Sequence, residues 1–214
     1  SYFPLFFIGN PDLKPEKSRG WEFGVRQSFA AGRWTVQATY FKERLQNEIA
    51  DFVFDPATFF FTAENVNGIS HRKGVETALQ ASITDKLDAA ATYTYLDADQ
   101  LDAAGEFTAE IRRPTHMASA NFNYRFMDSR GNINLNLSYT GDQYDTFFLP
   151  GAAGQRVKLD SYTLVNLAAS YQATDRVRVY GRIENLFDED YEDVIGFSTP
   201  GIGAFVGVQV KGGN

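Results

Sequence analysis

Chemistry in this chain would have to come from a small set of side chains. The 214 residues hold two histidines, His71 and His116, and no cysteine. Nucleophilic or hydrolytic catalysis needs a nucleophile, a base and a partner that orients the base. No serine here stands in a nucleophile-elbow glycine pattern, and the histidines are not paired as metal ligands. His116 and Ser119 share one alternating stretch, but a spacing of three turns them to opposite faces of a strand. The expectation is no enzyme, no cofactor and no resident metal. The acidic run Asp97, Asp99, Asp102 and Glu106 could supply oxygen ligands to calcium, yet it lacks the glycine and terminal glutamate of a calcium loop and reads as a solvated loop.

Binding is better served. Phe59, Phe60 and Phe61 form one aromatic cluster between alternating stretches, and Tyr144, Phe147 and Phe148 form a second. Clustered exposed aromatics can clamp an apolar or ring-bearing ligand. The plainer role for any single one is loop packing or an interfacial position. Arg112 and Arg113, with Arg178 and Arg182, could meet an anionic ligand. For Arg178 and Arg182 the plainer role is pairing with carboxylates such as Glu76 and Glu184.

The elements that must position these groups are strands. Arg176 to Glu184 places Val177, Val179, Gly181 and Ile183 against Arg176, Arg178, Tyr180, Arg182 and Glu184. The last stretch sets Ile202, Ala204, Val206, Val208 and Val210 against Gly203, Phe205, Gly207, Gln209 and Lys211. A period of two puts alternate residues on opposite faces of a sheet. Seven more stretches obey the rule, starting near Trp21, Trp34, Lys73, Leu87, Ala118, Ile133 and Val165. The second continues as an upright arm through Ile49 and Phe54. Turns of a few residues, at Ala30, Thr84, Met127 and Ala173, alternate with long loops, among them Asp97 to Glu106 and Gly141 to Lys158. Short turns at one end and long loops at the other are the asymmetry of outer-membrane barrels. Phe29, Trp34, Phe122, Tyr124 and Tyr171 fall beside short turns, and Tyr93, Tyr95 and Tyr139 near long loops, as two interfacial girdles would. The bland alternative is a soluble antiparallel sandwich with the apolar face inward.

Composition does not choose between them, with 43% hydrophobic and 22% charged residues. No stretch approaches the roughly 18 apolar residues of a membrane helix, a test that barrels escape. The absence of cysteine excludes a disulfide framework and leaves the compartment open. A net charge of -7 and a pI near 4.9 argue against nucleic acid as a partner.

Three motifs decide. Asn185-Leu186-Phe187-Asp188 with Asp190-Tyr191, Gly196-Phe197 and Pro200-Gly201 precede the final strand. Gly9-Asn10-Pro11-Asp12-Leu13-Lys14-Pro15-Glu16-Lys17-Ser18 precedes the first. Asn65-Val66-Asn67-Gly68 leads to Lys73-Gly74-Val75-Glu76. In this order and spacing the chain resembles the C-terminal part of a TonB-dependent outer-membrane transporter. One departure is that the family usually ends its last strand on an aromatic residue, where parity here puts Gly212.

The resemblance implies an all-β, antiparallel transmembrane β-barrel in the bacterial outer membrane, with residues 1–214 supplying the nine C-terminal strands of a 22-stranded barrel. The family's plug domain has no counterpart among these residues, and no secretion signal is present, so a piece of a larger protein is expected. In such a protein a scarce metal chelate or cobalamin is taken up with energy relayed by the TonB complex through the plug. The partners implied are that complex, outer-membrane lipid and the small-molecule ligand. The substrate site would draw on Phe59, Phe60, Phe61, Arg112, Arg113, Tyr144, Phe147 and Phe148. The cluster Asp188, Glu189, Asp190, Glu192 and Asp193 overlaps a family motif and reads as capping of the final hairpin. The alternative function is a non-transporting outer-membrane barrel: porin-like, an adhesin or a phage receptor.

Overall fold

The computed structural model describes residues 7–66, 68–101, 106–147 and 154–212. Phe148, Asp102, Asn67, Gly213, Asn214 and the start of the first segment lie outside the described residues. The chain divides into two compact units, one of Ser1–Glu22, Phe41–Lys73 and Asp97–Glu110, the other of Phe23–Tyr40, Gly74–Leu96 and Ile111–Asn214.

Nine strands form the wall: β1 (Lys17–Phe29), β2 (Trp34–Gln46), β5 (Ile69–Ser82), β6 (Leu87–Leu101), β8 (His116–Phe126), β9 (Gly131–Thr140), β12 (Tyr162–Gln172), β13 (Val177–Glu184) and β14 (Gly203–Val210). They hydrogen-bond in that order, with β1 and β14 as edges. Two hairpins stand off the wall, β3 (Ile49–Asp55) with β4 (Phe60–Asn65) and β10 (Gln143–Phe147) with β11 (Gln155–Leu159), and short β7 (Phe107–Ala109) pairs with β6.

Register sorts the faces as the alternation requires. Ala89, Phe122, Leu135, Leu167, Ile183 and Ala204 lie side by side across six strands. The neighbouring row on the other face reads Asp88, Asn123, Asn134, Ala168, Arg182 and Phe205. Directly opposed residues share a face, so a single slip would exchange the two rows. The polar row is bonded sideways. Asn121 and Asn134 exchange amide bonds of 3.1 and 3.0 Å, Asn132 donates to Asn123 at 2.9 Å, and Thr92 and Ser119 hydroxyls meet at 2.7 Å.

The apolar row covers no core. Among the described residues the buried apolar side chains are Ala63, Ala81, Ala98, Leu159 and Val165, while Phe23 is 68% and Val206 84% exposed. A soluble sandwich would enclose these aliphatics between two sheets, so that alternative falls.

The short turns carry their own chemistry. Thr84 Oγ1 accepts from the Lys86 and Leu87 amides, and Thr174 Oγ1 from those of Arg176 and Val177. The other two turns run through positive φ at Ala30, Ala31 and Gly32, and at Met127, Asp128 and Ser129. Each ends in an arginine that clasps the next turn: Arg33 donates to the Ser82 and Ile83 carbonyls at 3.1 and 3.0 Å, and Arg130 to those of Gln172 and Ala173 at 2.8 to 3.1 Å.

Three expectations need correction. Asp97 and Asp99 are not loop residues, because β6 continues to Leu101 and Asp99 pairs with Ala109 of β7. The acidic stretch keeps its period of two, and Lys73 neutralises Asp97 at 3.0 Å. The long Gly141 to Lys158 loop folds into β10 and β11, whose residues alternate over the short span from Gln143 to Leu159. The arm beyond β2 is a separate strand, since Asn47 takes a left-handed φ of 57° and breaks the ladder.

Candidate functional site

At the long-loop end of the second unit, packing centres on one carboxylate. Asp145 in β10 is fully buried. It accepts from Arg112 Nε at 2.9 Å, from the Ile195 amide at 3.0 Å and from the Thr146 amide at 2.8 Å. Burial pushes its carboxyl up, but the two backbone N–H groups and the guanidinium outweigh this and hold it below the usual carboxylate range. Three segments of distant sequence therefore meet at one ion: the turn after β7, the β10–β11 hairpin and the loop before β14. Arg112 reaches it from a left-handed backbone, φ 55°, and its own amide donates to the Tyr144 carbonyl at 2.7 Å.

Around that anchor the hairpin presents aromatic and charged groups. Arg156 lies over the Tyr144 ring at 4.1 Å, Lys158 pairs with Asp142 at 2.9 Å, and Tyr144 and Phe147 keep about a third of their surface exposed. Gln143 Nε2 donates to the Asp193 carbonyl at 3.2 Å, and the Tyr162 hydroxyl donates to the Asp193 carboxylate. The Tyr162 and Tyr191 rings stand 4.4 Å apart. Beside them lies a basin of about 310 Å³ lined by Lys158, Asp160, Tyr162, Asp190, Tyr191 and Glu192. Its mix of aromatic faces, carboxylates and one ammonium suits a polar organic ligand better than a bare ion.

The loop before β14 is tied from within. Asn185, 5% exposed, donates to the carbonyls of Glu189 at 2.9 Å and Pro200 at 3.4 Å and accepts from the Glu189 amide at 2.8 Å. Asp188 accepts from the Ile202 amide at 2.7 Å. These bonds close the ends of the loop on each other, so Asp188 is spent on capping.

In the first unit, the β3–β4 hairpin turns on Asp55, whose carboxylate accepts from the Ala57 amide at 2.9 Å and the Thr58 hydroxyl at 2.8 Å. Phe59 sits at the tip with φ 61° and is 77% exposed, Phe61 is 41% exposed, and Phe60 is half-buried. Below it, Arg72 makes a bidentate pair with Glu110 at 2.8 and 2.7 Å and lies 3.6 Å from Glu48.

Of the residues expected to bind ligand, the structure brings Arg112 and Tyr144 into contact and sets Phe147 on the same hairpin. Phe59, Phe60 and Phe61 belong to the other unit, and Arg113 is exposed beside Arg112. Arg112 commits its Nε to Asp145. Arg178 bonds the Ser170 hydroxyl at 2.7 Å, and Arg182 pairs with Glu184 at 3.1 Å and covers the Phe205 ring at 4.5 Å. His116 bonds Tyr93 at 2.9 Å and packs on Tyr95, on the face opposite Ser119. Sequence reasoning passed over Asp145, Tyr162 and Arg72. Only Tyr162 carried a signal, since the β12 alternation puts it on the polar face.

Residues 1–186 match the family described as TonB dependent receptor-like, beta-barrel. Among solved structures the fold resembles the ferripyoverdine receptor of the outer membrane of Pseudomonas aeruginosa, with a TM-score of 0.74 and 19% identity over 92% of this chain and 27% of that one. The ferric-catecholate import receptor Fiu from E. coli K12 gives 0.73 and 19% over 94% and 28%. The siderophore receptor PirA from Acinetobacter baumannii gives 0.74 and 18% over 95% and 33%. The chain thus spans about a third or less of the length of these receptors.

Proposed function

Because this chain belongs to the TonB-dependent receptor β-barrel family, and so to the bacterial outer membrane, we propose that it supplies nine C-terminal wall strands and two extracellular hairpins of an active transporter for a scarce nutrient. The nutrient is a bulky organic carrier of the ferric siderophore or cobalamin kind. The whole receptor is a 22-stranded barrel with a plug, and the TonB complex drives transport through that plug from residues outside this chain.

The observation that carries the reading is that a hairpin of each unit, taken by itself, presents exposed aromatics on a braced base. Phe59 and Phe61 stand on β3–β4, and Tyr144 and Phe147 on β10–β11. Aromatic faces on a fixed scaffold favour a large organic ligand over a hydrated cation.

The test is growth of a strain deleted for the receptor, with a ferric siderophore or cobalamin as the limiting nutrient. Full-length wild type should restore uptake of one such nutrient. A Phe59→Ala plus Phe147→Ala receptor should bind it about tenfold or more weakly, at roughly 1 kcal/mol for each aromatic lost. Restored uptake with unchanged binding in the variant would remove the hairpins from the site. Failure of the wild type to support uptake of any such nutrient would favour a non-transporting barrel.

A further inference from the structure

In the first unit, the strands end in a charge pattern that neither wall packing nor ligand capture uses. A Cβ on Gly20 would stand 3.6 Å from the Cα and Cβ of Glu43, so Gly20 and Glu43 are opposed across β1 and β2. By that register Trp21 lies opposite Lys42, and Arg19 opposite Arg44. Like charges set directly across a strand pair repel. The repulsion has no internal remedy, for none of Arg19, Lys42 and Arg44 has an ion-pair partner among the described residues.

The carboxylates are nearby but on the other face. Glu43, Arg72, Glu48 and Glu110 gather together there, and Ser18 bonds Glu43. Arg19, Lys42 and Arg44 instead continue, at a period of two, the apolar columns that contain Trp21, Phe23 and Val25 in β1 and Val36, Ala38 and Tyr40 in β2. His71 does the same for β5. With Trp21 and Gly20, these four basic side chains line an open basin of about 530 Å³. Lys73, also on the outward face, pairs with Asp97 at 3.0 Å.

Height fixes the environment. A strand rises about 3.3 Å per residue, and barrel strands tilt by about 40°. Lys42 and Arg44 therefore stand about 5 and 10 Å above Tyr40 along the membrane normal. An aromatic at the hydrocarbon edge with bases one and two steps beyond it places those bases among lipid headgroups. The long-loop end makes this the outer leaflet.

We propose that Arg19, Lys42, Arg44 and His71 form a binding site for the phosphate groups of an outer-leaflet lipid, with Trp21 against the first atoms of its apolar part. The bound phosphate supplies the counter-charge that the Arg19–Arg44 pair lacks. The site rests on the barrel's place in the outer membrane and not on transport, so nutrient-uptake assays do not bear on it.

The test uses the full-length receptor in a neutral detergent, with lipid binding read by native mass spectrometry. The probes are phosphorylated lipid A, the same lipid dephosphorylated, and inorganic phosphate. Wild type should retain the phosphorylated lipid in clear preference to the other two. Arg19→Gln/Lys42→Gln/Arg44→Gln should lose about a hundredfold in affinity, at about fivefold for each basic side chain near an anionic surface. Lys42→Arg should keep it. Equal binding of both lipids, or a triple variant that binds as wild type, would overturn the proposal. Inorganic phosphate held as tightly as the lipid would assign the site to a free anion and overturn the lipid source. Should the triple variant fail to fold, the wild-type preference between the two lipids, and its loss at high salt, decides alone.

Discussion

Asn65 holds Lys14 by both backbone groups: its Oδ1 accepts from the Lys14 amide at 2.7 Å while its Nδ2 donates to the Lys14 carbonyl at 2.8 Å. The same Nδ2 reaches the Asn47 carbonyl at 2.8 Å. Two sequence motifs 51 residues apart are thus one clasp. Only a carboxamide offers an acceptor and two donors at this spacing. Asn65→Ala should cost about 1–2 kcal/mol of local stability, seen as faster hydrogen exchange at Lys14. Asn65→Asp should cost at least as much at neutral pH, because it turns an anion toward two carbonyl oxygens, and should recover in part once protonated.

Asp145→Asn leaves Arg112 facing a neutral group and turns a donor either toward the Ile195 amide, bound to one carboxylate oxygen, or toward Arg112 Nε and the Thr146 amide, bound to the other. Arg112 keeps half of its side chain in solvent, so the loss is that of hydrogen bonds to a charged acceptor, about 1.5–3 kcal/mol; amide protection at Ile195 should fall and the loop before β14 should become open to protease. The matching pH response follows from a carboxyl held below its unfolded value. Its contribution is full above the unfolded carboxylate pKa of about 3.9 and is lost as pH falls through the lower folded value. Protection at Ile195 in the wild type should therefore be flat from neutral pH to about 4 and decline below that. Decline already near neutrality would contradict the assignment.

Arg33 and Arg130 strap neighbouring short turns together through planar forks. Arg33→Lys should not restore what Arg33→Ala loses, because a lysine cannot span the Ser82 and Ile83 carbonyls with a rigid pair of donors. Each substitution should cost about 1 kcal/mol, read as exchange at the amides of the Thr84 turn. Full rescue by lysine would reduce the strap to a charge effect.

Much of this was legible in the residues. The nine wall strands and their two faces follow from alternation, which local sequence carries in full. Asn132, Asn134 and Asn136 against Ile133, Leu135 and Leu137 leave no other register. The turns at Thr84 and Thr174 are equally local. Asp145 was not legible, because its burial is made by Arg112 and Ile195, 33 and 50 residues away. Nothing in Gln143-Tyr144-Asp145-Thr146-Phe147 distinguishes it from an exposed loop acid. Arg72 was hidden for the same reason. The mistaken Asp97 loop came from reading charge as solvation where a cross-strand lysine and a short β7 complete the pairing.

The central claim is that one row of this wall meets lipid and the next meets a watery lumen. These 214 residues contain no cysteine, so single cysteines at Ile133, Leu135 and Leu137 and at Asn132, Asn134 and Asn136, placed in a full-length receptor freed of any cysteine elsewhere, can carry nitroxide labels in reconstituted bilayers. The account predicts that collision with oxygen, which concentrates in lipid, dominates at the first three. Collision with a water-soluble nickel chelate should dominate at the other three, giving an unbroken period of two along β9. Both series responding alike, or the leucine positions shielded from both reagents, would contradict it.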